Sequence, residues 1–192
     1  MKKTMEVIKM HKCIAVVGMS GSGKSVVTDY LEQNHWKKLY FGGITYKLME
    51  EQGIERTPDG KSEKEFREKL RKEHGPECYA KFLDPEIQKA LKNNDVVLDG
   101  LYSWYEYKYL IERYPQLKLV CIVVDKEVRY QRVAERPDRP FDREAIEYRD
   151  LSEIENLYKG GPIAFADYYI FNNRSKEDEI ERLKEILEDI GE

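Results

Sequence analysis

The octapeptide Gly18-Met-Ser-Gly-Ser-Gly-Lys-Ser25 constrains this chain more than any other stretch. It follows the apolar run Cys13 to Val17 and precedes a helical pattern from Val26 to Glu32. A glycine-rich turn between a buried strand and a helix presents successive backbone N–H groups at a helix N-terminus, which is an anion site. Gly18, Gly21 and Gly23 give the backbone its freedom, and Ser20, Ser22 and Val26 extend the cradle. In that context the pattern G-x-x-x-x-G-K-S predicts that Lys24 reaches the terminal phosphates of a nucleoside triphosphate and that the Ser25 hydroxyl holds Mg²⁺. A turn that merely joined strand to helix would leave the Lys24 ammonium beside Val16, Val17 and Val26 with no anion.

The apolar runs Cys13 to Val17, Val96 to Leu98, Leu117 to Val124 and Tyr168 to Phe171 are nearly continuous, as in strands covered on both faces of a parallel sheet. Lys38 to Phe41 is a weaker fifth candidate. Helical patterns separate the runs, so the chain reads as repeated βαβ units in one α/β domain over residues 1–192. Pro58, Asp59 and Gly60 predict a turn, Ser62 and Glu65 a capping box for a helix that Gly75 and Pro76 end, and Pro85 to Leu91 a short helix. Ser175 and Asp178 open a last helix whose Ile180, Leu183, Leu187 and Ile190 recur at helical spacing. Residues 42–94 hold about three helical stretches and no strong strand signal, too much for a plain crossover, and predict a helical acceptor-binding insert.

Composition excludes several classes. With 33 basic and 37 acidic residues the net charge is −4, which argues against a basic nucleic-acid-binding surface. No apolar run reaches the ~20 residues of a membrane span, and the first twelve residues lack a signal-peptide core. The three cysteines, Cys13, Cys78 and Cys121, read as reduced core residues of a cytoplasmic protein.

Asp99 ends the run Val96-Val-Leu-Asp-Gly100, placing an acid at a strand's carboxyl end, where open α/β sheets bind ligands. It is a candidate for orienting the waters around Mg²⁺; the competing role is to cap a helix starting near Ser103. Arg129, Arg132, Arg136, Arg139, Arg143 and Arg149 crowd a stretch broken by Pro137 and Pro140, with Asp142 placed to cap the next helix. A basic hairpin over residues 136–149 suits a lid that closes on a triphosphate, with Arg136 and Arg149 stabilising the transferring group. The acids interleaved with these arginines allow instead a solvated, self-neutralised face.

These pieces, together with Leu70-Arg-Lys-Glu-His-Gly75 and Pro162-Ile-Ala-Phe-Ala-Asp167, resemble in order the P-loop nucleoside monophosphate kinase-like superfamily, in particular its small adenylate-kinase-related and dephospho-CoA-kinase-like proteins. The resemblance implies a three-layer α/β/α P-loop fold with a five-stranded core, a helical insert, a lid, ATP as donor and Mg²⁺ as cofactor. It also exposes departures. Arginines usual after the second strand and in the Asp-Gly-x-Arg stretch are Tyr46 and Tyr102 here, and the acid that dephospho-CoA kinases carry after the second strand is missing from Phe41-Gly-Gly-Ile-Thr45.

On the acceptor side Tyr46, Arg71 and Tyr102 are therefore the candidates; Arg71 serves equally as a helix-surface partner for nearby acids. His74 suits a helix's last turn. Trp104, Tyr105, Tyr107 and Tyr109 read mostly as core. Lys159-Gly-Gly161 could approach a ligand closely, but reads rather as a helix C-cap ahead of Pro162. The expectation is an ATP-dependent phosphotransferase acting on a small-molecule or nucleotide acceptor, as a monomer or homodimer, with no nucleic acid or membrane as partner. The alternatives are a dephospho-CoA kinase and a nucleotide-binding, ATP-hydrolysing regulatory module.

Overall fold

The computed structural model of the chain describes residues 11–57, 60–137 and 140–191. Five strands, β1 (Cys13–Val17), β2 (Lys37–Tyr40), β3 (Val96–Asp99), β4 (Leu117–Val123) and β5 (Tyr168–Phe171), form one parallel sheet in the order β2-β3-β1-β4-β5. The helices are α1 (Lys24–Gln33), α2 (Phe41–Glu51), α3 (Lys61–His74), α4 (Cys78–Ala90), α5 (Trp104–Arg113), α6 (Lys126–Ala134), α7 (Arg143–Glu155), α8 (Gly160–Ala164) and α9 (Lys176–Gly191).

The unbroken apolar runs have a direct cause. Successive strand residues point to opposite faces, and both faces are covered. In β1, Cys13, Ala15 and Val17 enter one core while Ile14 and Val16 enter the other. In β4, Leu117, Leu119 and Cys121 face the first core, and Val120 and Ile122 the second. The first core packs against α2 to α5 through Phe41, Met49, Phe66, Leu70, Leu83, Ile87 and Leu110. The second packs against α1 and α9 through Val27, Leu31, Leu183 and Ile186. Fully burying each such aliphatic side chain contributes about 1.5–3 kcal/mol, so two helical layers clamp the sheet and fix the strand ends that carry the site. The expected strands are all present, and the weak candidate at Lys38 is the edge strand β2.

Three helical details differ from expectation. Ser62 lies inside α3, whose N-cap is Gly60 at φ 72°, and its hydroxyl accepts from the Thr57 backbone N–H at 3.0 Å. The cap is thus a left-handed glycine rather than a Ser62–Glu65 box; Pro58 and Asp59 of the expected turn lie outside the described residues. The short helix expected from Pro85 is the second half of α4, which runs straight through the proline. Pro85 costs one backbone hydrogen bond, and the buried stripe Cys78, Tyr79, Ala80, Leu83 and Ile87 offsets it. Gly160 and Gly161 open α8 instead of ending α7, which stops at Asn156. Pro162 falls in the first turn of α8, where its missing N–H goes unneeded. Asp142 and Ser175 cap as expected: Asp142 accepts from the Ala145 N–H at 2.8 Å, and Ser175 and Asp178 cap α9 reciprocally.

Asp138 and Arg139, at the tip of the expected hairpin, lie outside the described residues. Among the described residues no helix is long and apolar enough to cross a membrane.

Candidate active site

Parallel strands bring their carboxyl ends to one edge, and the loops after β1, β3 and β4 meet there with α7 and α8. They enclose a cleft of about 390 Å³ lined by Ser20, Gly21, Gly23, Lys24 and Ser25 from the glycine-rich loop, Asp99 and Tyr102 after β3, and Arg132, Arg136 and Arg149 from the arginine segment. Lys159 and Glu153 complete one wall.

The loop is held in shape from below. Gly21 and Gly23 have φ of 86° and 96°, where a side chain is strained. A Cβ on Gly23 would lie 2.3 Å from the Asn172 amide nitrogen, which donates to the Ser22 carbonyl at 3.0 Å. Arg129 donates to the Ser20 carbonyl at 2.9 Å and is gripped on its other side by Asp150, a buried charge pair that ties the loop to α7. The Ser22 hydroxyl is buried with no partner. Lys24 donates to the carbonyl oxygens of Gly18 and Met19, at 2.9 and 3.0 Å. Removal from water lowers its pKa, the charge of Lys159 lowers it further, and Glu153 and Asp99 act in the opposite sense; the result is about 7. A loop with positive-φ glycines, an unpartnered hydroxyl and an ammonium satisfied only by neutral carbonyls fits a polyphosphate guest.

Asp99 stands at the end of β3, its side chain 15% exposed. It accepts from the Thr28 hydroxyl at 3.2 Å and lies 3.5 Å from the Lys38 ammonium, so it is tied to α1 and β2 and does not cap α5. That cap is Ser103, in a reciprocal box with the fully buried Glu106. Ser25 and Asp99 therefore face one cleft, and no cluster of three or more His, Cys, Asp or Glu able to hold a metal exists among the described residues. One hydroxyl and one carboxylate with the remaining positions left to water and phosphate is the donor set suited to Mg²⁺.

The acceptor-side candidates separate. Tyr102 lines the cleft, and its burial raises its pKa. Tyr46 and Arg71 are not among the lining residues. Tyr46 lies under the Arg56 guanidinium, 4.2 Å from ring centre to cation. Arg71 packs 4.9 Å over the Tyr79 ring and 3.9 Å from Glu106, so it takes the helix-partner role. His74 meets Phe82 edge-on. Of the arginine segment, Arg132, Arg136 and Arg149 reach the cleft, whereas Arg143 pairs with Glu127 on the surface.

The sequence reading missed three lining residues. Tyr40 folds back over Gly42, where a Cβ would meet its ring at 2.3 Å, so the glycines after β2 exist to receive an aromatic ring. Glu153 follows Arg149 by four positions on α7, and that spacing was its one available signal. It receives Arg149 Nε at 3.0 Å and Lys159 Nζ at 2.7 Å. Burial alone would raise its pKa, but the two cations hold it down at about 2. Lys159, 1% exposed, reaches the cleft because α8 begins directly after it.

Comparison with known proteins agrees with this fold. A family model described as AAA domain matches residues 14–155, well over half of the chain. The UPF0200 protein of Thermococcus onnurineus is 31% identical over 182 residues, covering 92% of this chain and 97% of its own. Among solved structures, the dephospho-CoA kinase of Campylobacter jejuni superposes with a TM-score of 0.57 at 20% identity, over 95% of this chain and 98% of that one. The shikimate kinase of Aquifex aeolicus does so with a TM-score of 0.53 at 21% identity, over 92% and 96%. The chain therefore belongs to the AAA domain family and to the UPF0200 proteins, with the fold of the P-loop nucleoside monophosphate kinase-like superfamily.

Proposed function

We propose that the chain is a phosphotransferase that moves the γ-phosphoryl group of ATP·Mg²⁺ onto a small-molecule or nucleotide acceptor. The observation that supports this reading best is the convergence of Lys24, Ser25, Asp99, Arg136 and Arg149 on one cleft at the sheet's carboxyl edge. Phosphoryl transfer depends on positioning and charge neutralisation rather than on covalent work by the protein. Lys24 exchanges the Gly18 and Met19 carbonyls for phosphate oxygens and regains a full charge in doing so. The amides of residues 20 to 26 cradle the bridging phosphates. Ser25 would hold the magnesium directly and Asp99 its waters, and the ion would supply charge neutralisation at the terminal phosphates. Arg136 and Arg149 neutralise the charge on the group in transit, with residues 136–149 acting as the lid. Helices α2 to α4 form the acceptor-binding insert, and Tyr102 borders the acceptor.

A purely regulatory nucleotide binder would not need three arginines aimed at a cleft that already has a phosphate-loop lysine. The free, buried thiols of Cys13, Cys78 and Cys121 suit work in the reducing cytoplasm. The test is labelled ATP with a panel of hydroxyl and phosphate acceptors, using the native chain and Lys24→Met. Label on an acceptor with the native chain, and none with the variant, is expected. Label only in free phosphate, whatever the acceptor, would exclude the kinase reading in favour of a hydrolysing module.

A further inference from the structure

One cleft wall holds more positive charge than a donor nucleotide needs. Five cationic side chains, Lys24, Arg132, Arg136, Arg149 and Lys159, line the cleft against two anionic ones, Asp99 and Glu153. A triphosphate with one divalent cation brings a net charge of about −2, so positive charge remains after the donor binds. Its location is specific. Lys159 is buried to 1% exposure, an expensive state for an ammonium unless anions meet it. Among the described residues its one ion-pair partner is Glu153, and Glu153 is shared: one oxygen takes Lys159 Nζ at 2.7 Å, the other Arg149 Nε at 3.0 Å. Each cation thus gives one N–H to Glu153 and keeps others for a ligand.

Lys159 also neighbours both Lys24 and Tyr102. Its ammonium lies 4.7 Å from the centre of the Tyr102 ring, and its charge depresses the pKa of Lys24. It therefore sits between the phosphate loop and the aromatic border of the cleft. The backbone fixes it there: the Lys159 N–H donates to the Glu153 carbonyl at 3.2 Å, and Gly161 lets α8 lie against the Trp104 ring, where a Cβ would come within 2.9 Å.

We propose that Lys159 and Arg149 form an oxyanion subsite for the acceptor, so that the acceptor carries a phosphate or carboxylate group bound between the ammonium and the guanidinium beside Tyr102. Glu153 is the positioning residue that holds both cations at carboxylate spacing. The subsite rests on the reading of Gly18 to Ser25 as the donor site, because that loop decides which end of the cleft is left for the acceptor. It makes the acceptor an anionic metabolite, even though Tyr46 and Tyr102 occupy places where arginines would be expected, and supplies the missing cation from the N-cap of α8.

The experiment fills the donor loop with ADP·Mg²⁺ and titrates inorganic phosphate and, separately, succinate by calorimetry, on the native chain, Lys159→Gln and Lys159→Arg. One of the two anions should bind the native complex, and which one assigns phosphate or carboxylate. Lys159→Gln should weaken that anion at least ~10-fold, as loss of one partner of a buried charged hydrogen bond does. Lys159→Arg should restore most of it, and at pH 6, where Lys24 is charged with or without its cationic neighbour, ADP·Mg²⁺ affinity should be unchanged in both. If Lys159→Gln melts without a cooperative transition, the double variant Glu153→Gln/Lys159→Gln, which removes both charges of the buried pair and leaves the 39% exposed Arg149 to the amide oxygen and to water, carries the comparison. Neither anion binding the native complex, equal anion affinity in Lys159→Gln, or a parallel loss of ADP·Mg²⁺ affinity would each overturn the subsite. Failure of the native chain to bind ADP·Mg²⁺ at all would overturn the donor reading first, and is distinguishable from the other outcomes.

Discussion

The ammonium groups of Lys24 and Lys159 occupy one cleft, yet of the two only Lys159 hydrogen-bonds a carboxylate among the described residues. Lys159 is paired with Glu153, whereas Lys24 has only the neutral carbonyls of Gly18 and Met19. The cleft thus carries one matched charge and one that awaits an anion.

A pH-linked proton follows from Lys24. Its pKa of about 7 in the free chain means that at pH 8 most molecules hold it neutral. A bound polyphosphate restores the charged form, so binding of ATP·Mg²⁺ at pH 8 should take up a proton. Calorimetry at pH 8 in buffers of different ionisation enthalpy should show an uptake approaching one, falling toward zero at pH 6 and absent in Lys24→Met. A buffer-independent heat at pH 8 would refute this.

Asp99 predicts a metal effect. Its carboxylate is fixed by Thr28 and Lys38 and lines the same cleft as Ser25. Asp99→Asn keeps the shape but removes the charge that orients metal-bound water. The Mg²⁺ concentration for half-maximal turnover should rise by about 10–100-fold, the usual cost of losing an outer-sphere ligand partner, with nucleotide affinity measured without metal unchanged. An unaltered Mg²⁺ dependence would leave Asp99 as a structural acid only.

The Arg129–Asp150 pair predicts a stability effect. Both side chains are under 10% exposed, and Arg129 also supports the Ser20 carbonyl. Asp150→Ala strands a buried guanidinium and should cost about 3–5 kcal/mol, read as a lowered denaturation midpoint. The variant should also bind nucleotide more weakly, because the loop loses its support. A loss below about 1 kcal/mol would mean that water reaches the pair.

Glu179 predicts the opposite sign. It lies under the loop, 1% exposed, with neither oxygen partnered, and burial raises its pKa to about 7 despite the charges of Arg132 and Lys176. The folded chain therefore holds this proton more tightly than the unfolded chain, whose carboxyl titrates near 4.5. Its contribution is fully present below pH 4.5 and is lost as pH rises through 7. Glu179→Gln should melt higher than the native chain at pH 8 and lose that advantage by pH 5. Parallel melting curves across that range would show that the carboxylate is solvated or paired.

The acceptor side was the least legible part of the chain. Tyr46 and Arg71 were natural candidates by position along the chain, yet α2 and α3 turn them against Arg56 and Glu106. Their competing partners lie 10 and 35 positions away in sequence, beyond any helical periodicity. Lys159 carried only a weak signal, the two glycines that could approach a ligand closely, because a lysine ahead of two glycines and a proline also looks like the end of a helix. Only the start of α8 at Gly160 shows that it is buried.

What the sequence settled alone was local and periodic. Doubly covered strands must be apolar at every position, a glycine-rich turn before a helix must expose N–H groups, and an acid ending such a strand must sit at the sheet's ligand edge. Those rules gave the strands, the phosphate loop and Asp99. Tertiary structure decided which charges meet. An ion pair depends on a few ångströms between side chains from separate elements, and Arg129 with Asp150, Lys38 with Asp99, and Lys159 set between Lys24 and Tyr102 exist only after the sheet is closed and its helices are docked.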